Sequence, residues 1–94
     1  MSEVRLSGYL RCKNDSEADL VKEYLPKHIA LTRAEPGCIS FEVNPTANTL
    51  VWKVEERFAS SRAFRAHQAR VAVSEWGKMT SEIARDYTVT GLSE

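Results

Sequence analysis

Between residues 4 and 12 the chain reads VRLSGYLRC and its polarity alternates: Val4, Leu6, Gly8, Leu10 and Cys12 share one side, Arg5, Ser7, Tyr9 and Arg11 the other. A period of two places successive side chains on opposite faces of a strand, here one apolar and one mixed. The period then lengthens. From Glu17 to Ala34, Val21, Leu25, His28 and Thr32 recur at helical intervals, with Leu20, Tyr24 and Leu31 beside them. A helix is expected, with Asp15 or Ser16 as its N-cap and acids in its first turn. Pro26 stands inside it. Proline lacks the N–H for the i→i−4 bond and crowds the carbonyl four residues back, at about 3 kcal/mol in an ordinary helix interior. The pattern therefore predicts a kink, or a break into two shorter helices.

Pro36-Gly37 stops that helix, and CISFEV follows with Ile39, Phe41 and Val43 on one face and Cys38 on the other. NPTAN carries hairpin-loop chemistry. In TLVWKVEERF the alternation resumes: Leu50, Trp52, Val54, Glu56 and Phe58 on one side, Val51, Lys53, Glu55 and Arg57 opposite. These two runs should pair antiparallel. Ser60 or Ser61 then caps a helix carrying Phe64, His67 and Val71, and a further helical stretch, about 74–85, places Trp76, Met79 and Ile83 on one stripe. Gly77 weakens that stretch locally. The β-rich YTVTGL, residues 87–92, closes the chain. The order strand, helix, strand, strand, helix, strand is that of an α+β, ferredoxin-like βαββαβ fold. It has a four-stranded antiparallel sheet with helices on one face, as one domain over residues 1–94.

The other sheet face would carry Tyr9, Cys38 and Val51 among Arg5, Arg11, Glu42, Lys53, Glu55 and Arg57. Either water covers it or a second copy does, through opposite charges and a few apolar contacts. Net charge is zero and the basic residues are dispersed, which gives no support to nucleic-acid binding. No apolar run is long enough to span a membrane and no secretory signal is visible, so the cytoplasm is the expected compartment. Two cysteines and two histidines, without Cys-x-x-Cys spacing, do not suggest a structural zinc site. Phosphate-loop, nucleophile-elbow and His-Glu-x-x-His motifs are absent.

Glu56 is the most informative position, because its alternation sets a carboxylate among Trp52, Val54 and Phe58 on the covered face. A buried carboxylate needs a partner or a raised pKa, and such groups cluster at functional sites. Near the strand end, it could instead reach the rim and meet water or an arginine. His67 shares a helix face with Phe64 and Val71 and should point at the sheet. There it can accept a substrate proton near neutral pH, or be a core histidine satisfied by Glu56 or a backbone carbonyl. His28, close after Pro26, is read as serving the irregular helix backbone, and Arg33 as complementing the helix dipole. Trp52, Trp76, Phe41, Phe58 and Phe64 can line a pocket or simply fill the core. Cys38 follows a helix C-terminus, the wrong end of the dipole for a low thiol pKa, so it is not expected to be a nucleophile.

TRAEPGCISFEV, then VEERF, then AFRAH resembles the antibiotic biosynthesis monooxygenase family, which includes small quinol monooxygenases of the dimeric α/β-barrel superfamily. The resemblance spans about residues 4–92. It implies a homodimer whose sheets face each other, and a pocket in each subunit toward which Glu56 and His67 would point. It further implies cofactor-independent oxidation of a phenolic or quinol-type aromatic by molecular oxygen. In that chemistry His67 would be base or hydrogen-bond donor, oriented by Glu56, with the aromatics as walls and no metal. Phe58 stands where the family usually has Trp, Ala72 where many members have a second His, and the first strand lacks the Asn of related haem-degrading enzymes. The family also includes isomerases and members without known activity. A non-redox isomerase of a small carbonyl metabolite and a non-catalytic ligand-binding dimer therefore stand as alternatives.

Overall fold

In the computed structural model, which describes residues 3–93, the chain forms β1 (Val4–Arg11), α1 (Asp15–Arg33), β2 (Cys38–Pro45), β3 (Val51–Phe58), α2 (Ser61–Ala72), α3 (Glu75–Met79) and β4 (Ala84–Thr90). The four strands make one antiparallel sheet in the order β2-β3-β1-β4. The helices cover one face, and the fold is ferredoxin-like. Val4, Leu6 and Leu10 of β1 and Trp52, Val54 and Phe58 of β3 are buried beneath α1 and α2, as the alternation requires.

Helix α1 opens one residue earlier than expected. The side chain of Asn14 accepts from the Glu17 N–H at 3.0 Å, and a Glu17 carboxylate oxygen accepts from the Lys13 N–H at 2.8 Å. This exchange resembles a capping box and satisfies two free donors at once. The helix then runs unbroken for 19 residues with Pro26 inside it, so the expected break into two shorter helices does not occur. Pro26 and Lys22, whose carbonyl loses its partner, both lie on the solvent side. There the carbonyl is open to solvent, and burial of Val21, Leu25, His28 and Thr32 offsets the lost bond.

Strand β2 departs from strict alternation. A bulge between Cys38 and Ser40 shifts its register against β3. Ile39 is thereby turned outward, 47% exposed, whereas Cys38 packs against the core and Phe41 and Val43 remain buried. The expected placement of Cys38 on the outer face is corrected accordingly. Its thiol pKa is pushed up, first by burial and then by Glu35 and Glu56, so the conclusion that it is no nucleophile stands on a different ground.

The last helical stretch is shorter than its stripe suggested. Helix α3 ends at Met79, where the fully buried Thr80 hydroxyl donates to the Trp76 carbonyl. The Arg85 guanidinium donates to the carbonyls of Thr80 and Ile83, and β4 begins at Ala84, three residues before the expected strand. Trp76 and Ile83 are buried, but Met79 is 42% exposed because the helix does not continue. Gly77 has a packing reason: a Cβ there would stand 2.0 Å from the Val71 carbonyl oxygen. The missing side chain lets α3 sit against the end of α2.

Candidate active site

The site is assembled from four segments. β3 contributes Glu56, which faces the helices between Val54 and Phe58 and lies opposite Leu6 of β1 and Phe41 of β2. α2 contributes His67, one turn beyond Phe64; the turn after α1 contributes Glu35; and α1 itself contributes His28. Glu56, His67 and His28 are all buried.

Sequence reasoning paired His67 with Glu56. The structure gives the closer partnership to Glu35, whose Oε1 lies 2.8 Å from His67 Nδ1. The other carboxylate oxygen of Glu35 accepts from Arg70 Nε, and the Arg70 guanidinium also donates to the Thr32 hydroxyl at 2.9 Å. A carboxylate only accepts, so Nδ1 carries the proton in the neutral ring and Nε2 presents a lone pair. That lone pair faces Glu56, with 3.8 Å between Nε2 and Oε1. Oε1 of Glu56 is buried and has no hydrogen-bond partner.

Burial, and secondly the Glu35 carboxylate, raise the Glu56 pKa to about 7. Burial lowers that of His67 while Glu35 pulls it back up. Near neutral pH the pair therefore balances a carboxyl that can hold a proton against an imidazole that can take one. This is the separation of roles that acid–base chemistry uses. His28 differs from the expectation of a backbone role. Its ring stacks on Trp76 with centroids 4.8 Å apart and planes 9° apart, and meets Phe41 edge-on at 5.3 Å. Burial, then the neighbouring His67, Arg70 and Arg85, press its pKa down to about 3, so it is neutral at physiological pH.

These groups surround a cavity of about 70 Å³, lined among others by His28, Phe41, Glu56, His67, Trp76 and Tyr87. Of the aromatics expected to line a pocket, Phe41 and Trp76 do so. Trp52 does not; it lies nearer the other end of β3, opposite Leu10. Phe58 and Phe64 pack behind His67, with ring centroids 4.8 Å from Phe58 to His67 and 5.8 Å between the two phenylalanines. They support the imidazole instead of contacting the cavity. Glu35, Arg70 and Tyr87 escaped sequence reasoning. Glu35 lies beyond the helix, where periodicity no longer says which way a side chain points. Among the described residues no group of three His, Cys, Asp or Glu has metal-binding geometry.

A family model for antibiotic biosynthesis monooxygenase matches residues 4–79. The chain belongs to this family. The matched segment of this antibiotic biosynthesis monooxygenase domain contains His28, Glu35, Glu56, His67 and Trp76, whereas Tyr87 comes from β4 beyond it. A candidate antibiotic biosynthesis monooxygenase from Nitrosomonas europaea has a TM-score of 0.81 at 18% identity, covering 96% of this chain and 89% of that one. Its counterpart from Deinococcus radiodurans has a TM-score of 0.79 at 19% identity, covering 97% and 93%. Rv0793 from Mycobacterium tuberculosis has a TM-score of 0.76 at 20% identity, covering 99% and 97%. At such identities the likeness is one of fold. No curated protein matches the chain. No helix among the described residues is long and apolar enough to cross a membrane.

Proposed function

We propose that this chain is a cofactor-independent monooxygenase that oxidises a small phenolic or quinol substrate with molecular oxygen. The observation that carries the reading is the buried Glu56–His67 pair, 3.8 Å apart, on the wall of a cavity with aromatic sides. A substrate hydroxyl seated off the line between them lies within hydrogen-bond distance of both. It gives its proton to Nε2 of His67 and accepts a hydrogen bond from protonated Glu56. The resulting anion is electron-rich enough to reduce oxygen by one electron, and the two radicals combine at a ring carbon. Loss of water from the hydroperoxide converts a hydroquinone to a hydroxyquinone. The substrate gives up four electrons, one oxygen atom stays on the ring and the other leaves in water. The protein binds the ring, moves the proton, holds the anion and limits access of water.

The working unit in this reading is a homodimer joined through the open sheet face. There Tyr9 lies under Arg11 and Lys53, 4.9 and 4.7 Å from its ring centroid. The register sets Glu42 opposite Glu55 and Arg5 opposite Arg57. Glu3 accepts from both Arg5 and Arg57, and Glu42 accepts from Arg33, so these charges are compensated within one copy and the face can meet a second copy turned about a two-fold axis. A phosphorylated substrate fits less well, since Arg85 is engaged by backbone carbonyls and Arg70 by Glu35 and Thr32.

Oxygen consumption with 1,4-hydroquinone and 1,4-dihydroxynaphthalene tests the reading. Uptake of one oxygen molecule per hydroxyquinone formed, lost in His67→Ala, supports it. No uptake above buffer autoxidation overturns it. Turnover of a carbonyl substrate indifferent to oxygen would select the isomerase.

A further inference from the structure

The cavity beside Glu56 and His67 measures about 70 Å³. An engineered cavity that takes up benzene measures about 150 Å³. The inner space therefore accommodates the hydroxyl end of an aromatic substrate but not its ring. A second pocket of about 250 Å³ lies between the C-terminal half of α1 and the α2–α3 junction, with Tyr24, Leu31 and Val73 among its walls. His28 and Trp76 line both spaces. Their stacked rings are the partition between them.

The two leaves of this partition sit on helices of very different length. His28 sits in the middle of the 19-residue α1. Trp76 sits on α3, a helix of five residues, which has few internal hydrogen bonds to hold it. Nδ1 of His28 is buried without a hydrogen-bond partner, as expected of a group that meets a ligand. The outer pocket is flanked by two large apolar side chains left in water, Leu31 at 45% and Val73 at 73% exposure. Lys27 and Glu75 in its lining offset each other, and Arg70 is committed to Glu35 and Thr32, so the pocket suits a neutral occupant. Together the two spaces reach the few hundred Å³ typical of small-molecule sites.

We infer that the outer pocket is the second half of the substrate chamber and that the His28–Trp76 stack is a door between the halves. The occupant is an elongated, neutral aromatic alcohol of at least two fused rings. Its hydroxyl end reaches Glu56 and His67, its ring body lies against Tyr24, Leu31 and Val73, and Trp76 swings aside to admit it. The inference rests on the reading of Glu56 and His67 as the reacting end, and its test needs neither oxygen nor turnover.

Anaerobic calorimetric titration with phenol and with 2-naphthol reads the affinities, and the indole N–H signals of the two tryptophans report the door. 2-Naphthol should bind at least ten-fold more tightly than phenol and move the Trp76 signal while leaving that of Trp52 in place. Val73→Trp fills the outer pocket from an exposed position and should weaken 2-naphthol at least ten-fold. Leu31→Trp, from another part of the wall, should do the same. Equal affinities, a stationary Trp76 signal, indifference to both filling variants, or binding of neither compound overturns the inference. If 2-naphthol binds as described but hydroquinones are not oxidised, the chamber stands and the monooxygenase reading falls. If oxidation proceeds and the filling variants change nothing, the reverse holds.

Discussion

His67 and Glu35, far apart in the chain, meet through a 2.8 Å contact from imidazole Nδ1 to a carboxylate oxygen, and this contact orients the ring. Glu35 is in turn held by Arg70, whose guanidinium also reaches Thr32 near the end of α1. The imidazole is thus fixed from behind, and its free nitrogen is left for Glu56 and the cavity.

Replacing Glu35 by Gln keeps the shape but substitutes an amide that can donate as well as accept. The preference for a proton on Nδ1 then weakens. Hydroquinone turnover should fall roughly 10–100-fold, part of the 10²–10⁴ that positioned proton transfer contributes, with KM nearly unchanged. Long-range proton–nitrogen spectra should show a mixture of imidazole tautomers in place of one. A single unchanged tautomer would rule out this orienting role.

Glu56 titrates near 7 in the fold against an ordinary value of 4.5. Between those values the folded protein keeps a proton that the unfolded chain has released. Stability therefore falls as pH rises through this window, by on the order of 3 kcal/mol, and levels off above it. His28 acts in the opposite sense, because burial takes it from 6.5 to about 3. Its contribution is complete above 6.5 and is lost as pH falls toward 3. The lowered pKa of His67 acts in the same sense as that of His28, and the two slopes oppose each other between 4.5 and 6.5. Glu56→Gln removes one of them. Urea unfolding midpoints should show the variant gaining on the wild type from pH 4.5 to 7, and a pH-independent difference would contradict the raised pKa.

Gly77→Ala would ordinarily strengthen a helix. Here the added Cβ would meet the Val71 carbonyl oxygen at 2.0 Å, and α3 has to move. The sign should reverse, with a loss of about 2–3 kcal/mol and a melting temperature lower by about 10 °C or more. Thermal unfolding followed by circular dichroism checks this.

Tyr9→Glu adds a negative charge to the centre of the open sheet face while leaving the helix-covered core untouched. The proposed dimer should dissociate, and sedimentation equilibrium should then show a mass near the 10.6 kDa of one chain. A wild-type protein already at that mass would remove the dimer from the proposal.

Much of this architecture was legible from periodicity. The alternation of β1 and β3 assigned Val4, Leu6, Leu10, Trp52, Val54, Glu56 and Phe58 to the covered face, and each is buried there. His67 pointed inward for the equivalent reason on a helix. What escaped was local competition between hydrogen bonds. Asn14 outcompetes Asp15 as the cap because Glu17 answers it. The bulge after Cys38 reverses Ile39, and the Thr80 hydroxyl ends α3 before Met79 can be covered.

By itself, then, the sequence determined the order of elements, the inward faces and the two side chains nearest the candidate chemistry, because side-chain direction within a regular element follows from its period. The tertiary structure alone decided that Glu35 and Arg70 hold His67, that Phe58 and Phe64 pack behind it, and that His28 and Trp76 stack between two cavities. Those partnerships join segments far apart in the chain, through a turn and a short helix whose side chains obey no period. The His28–Trp76 stack further depends on how closely α3 approaches α2, a distance that Gly77 permits and only the packed fold sets.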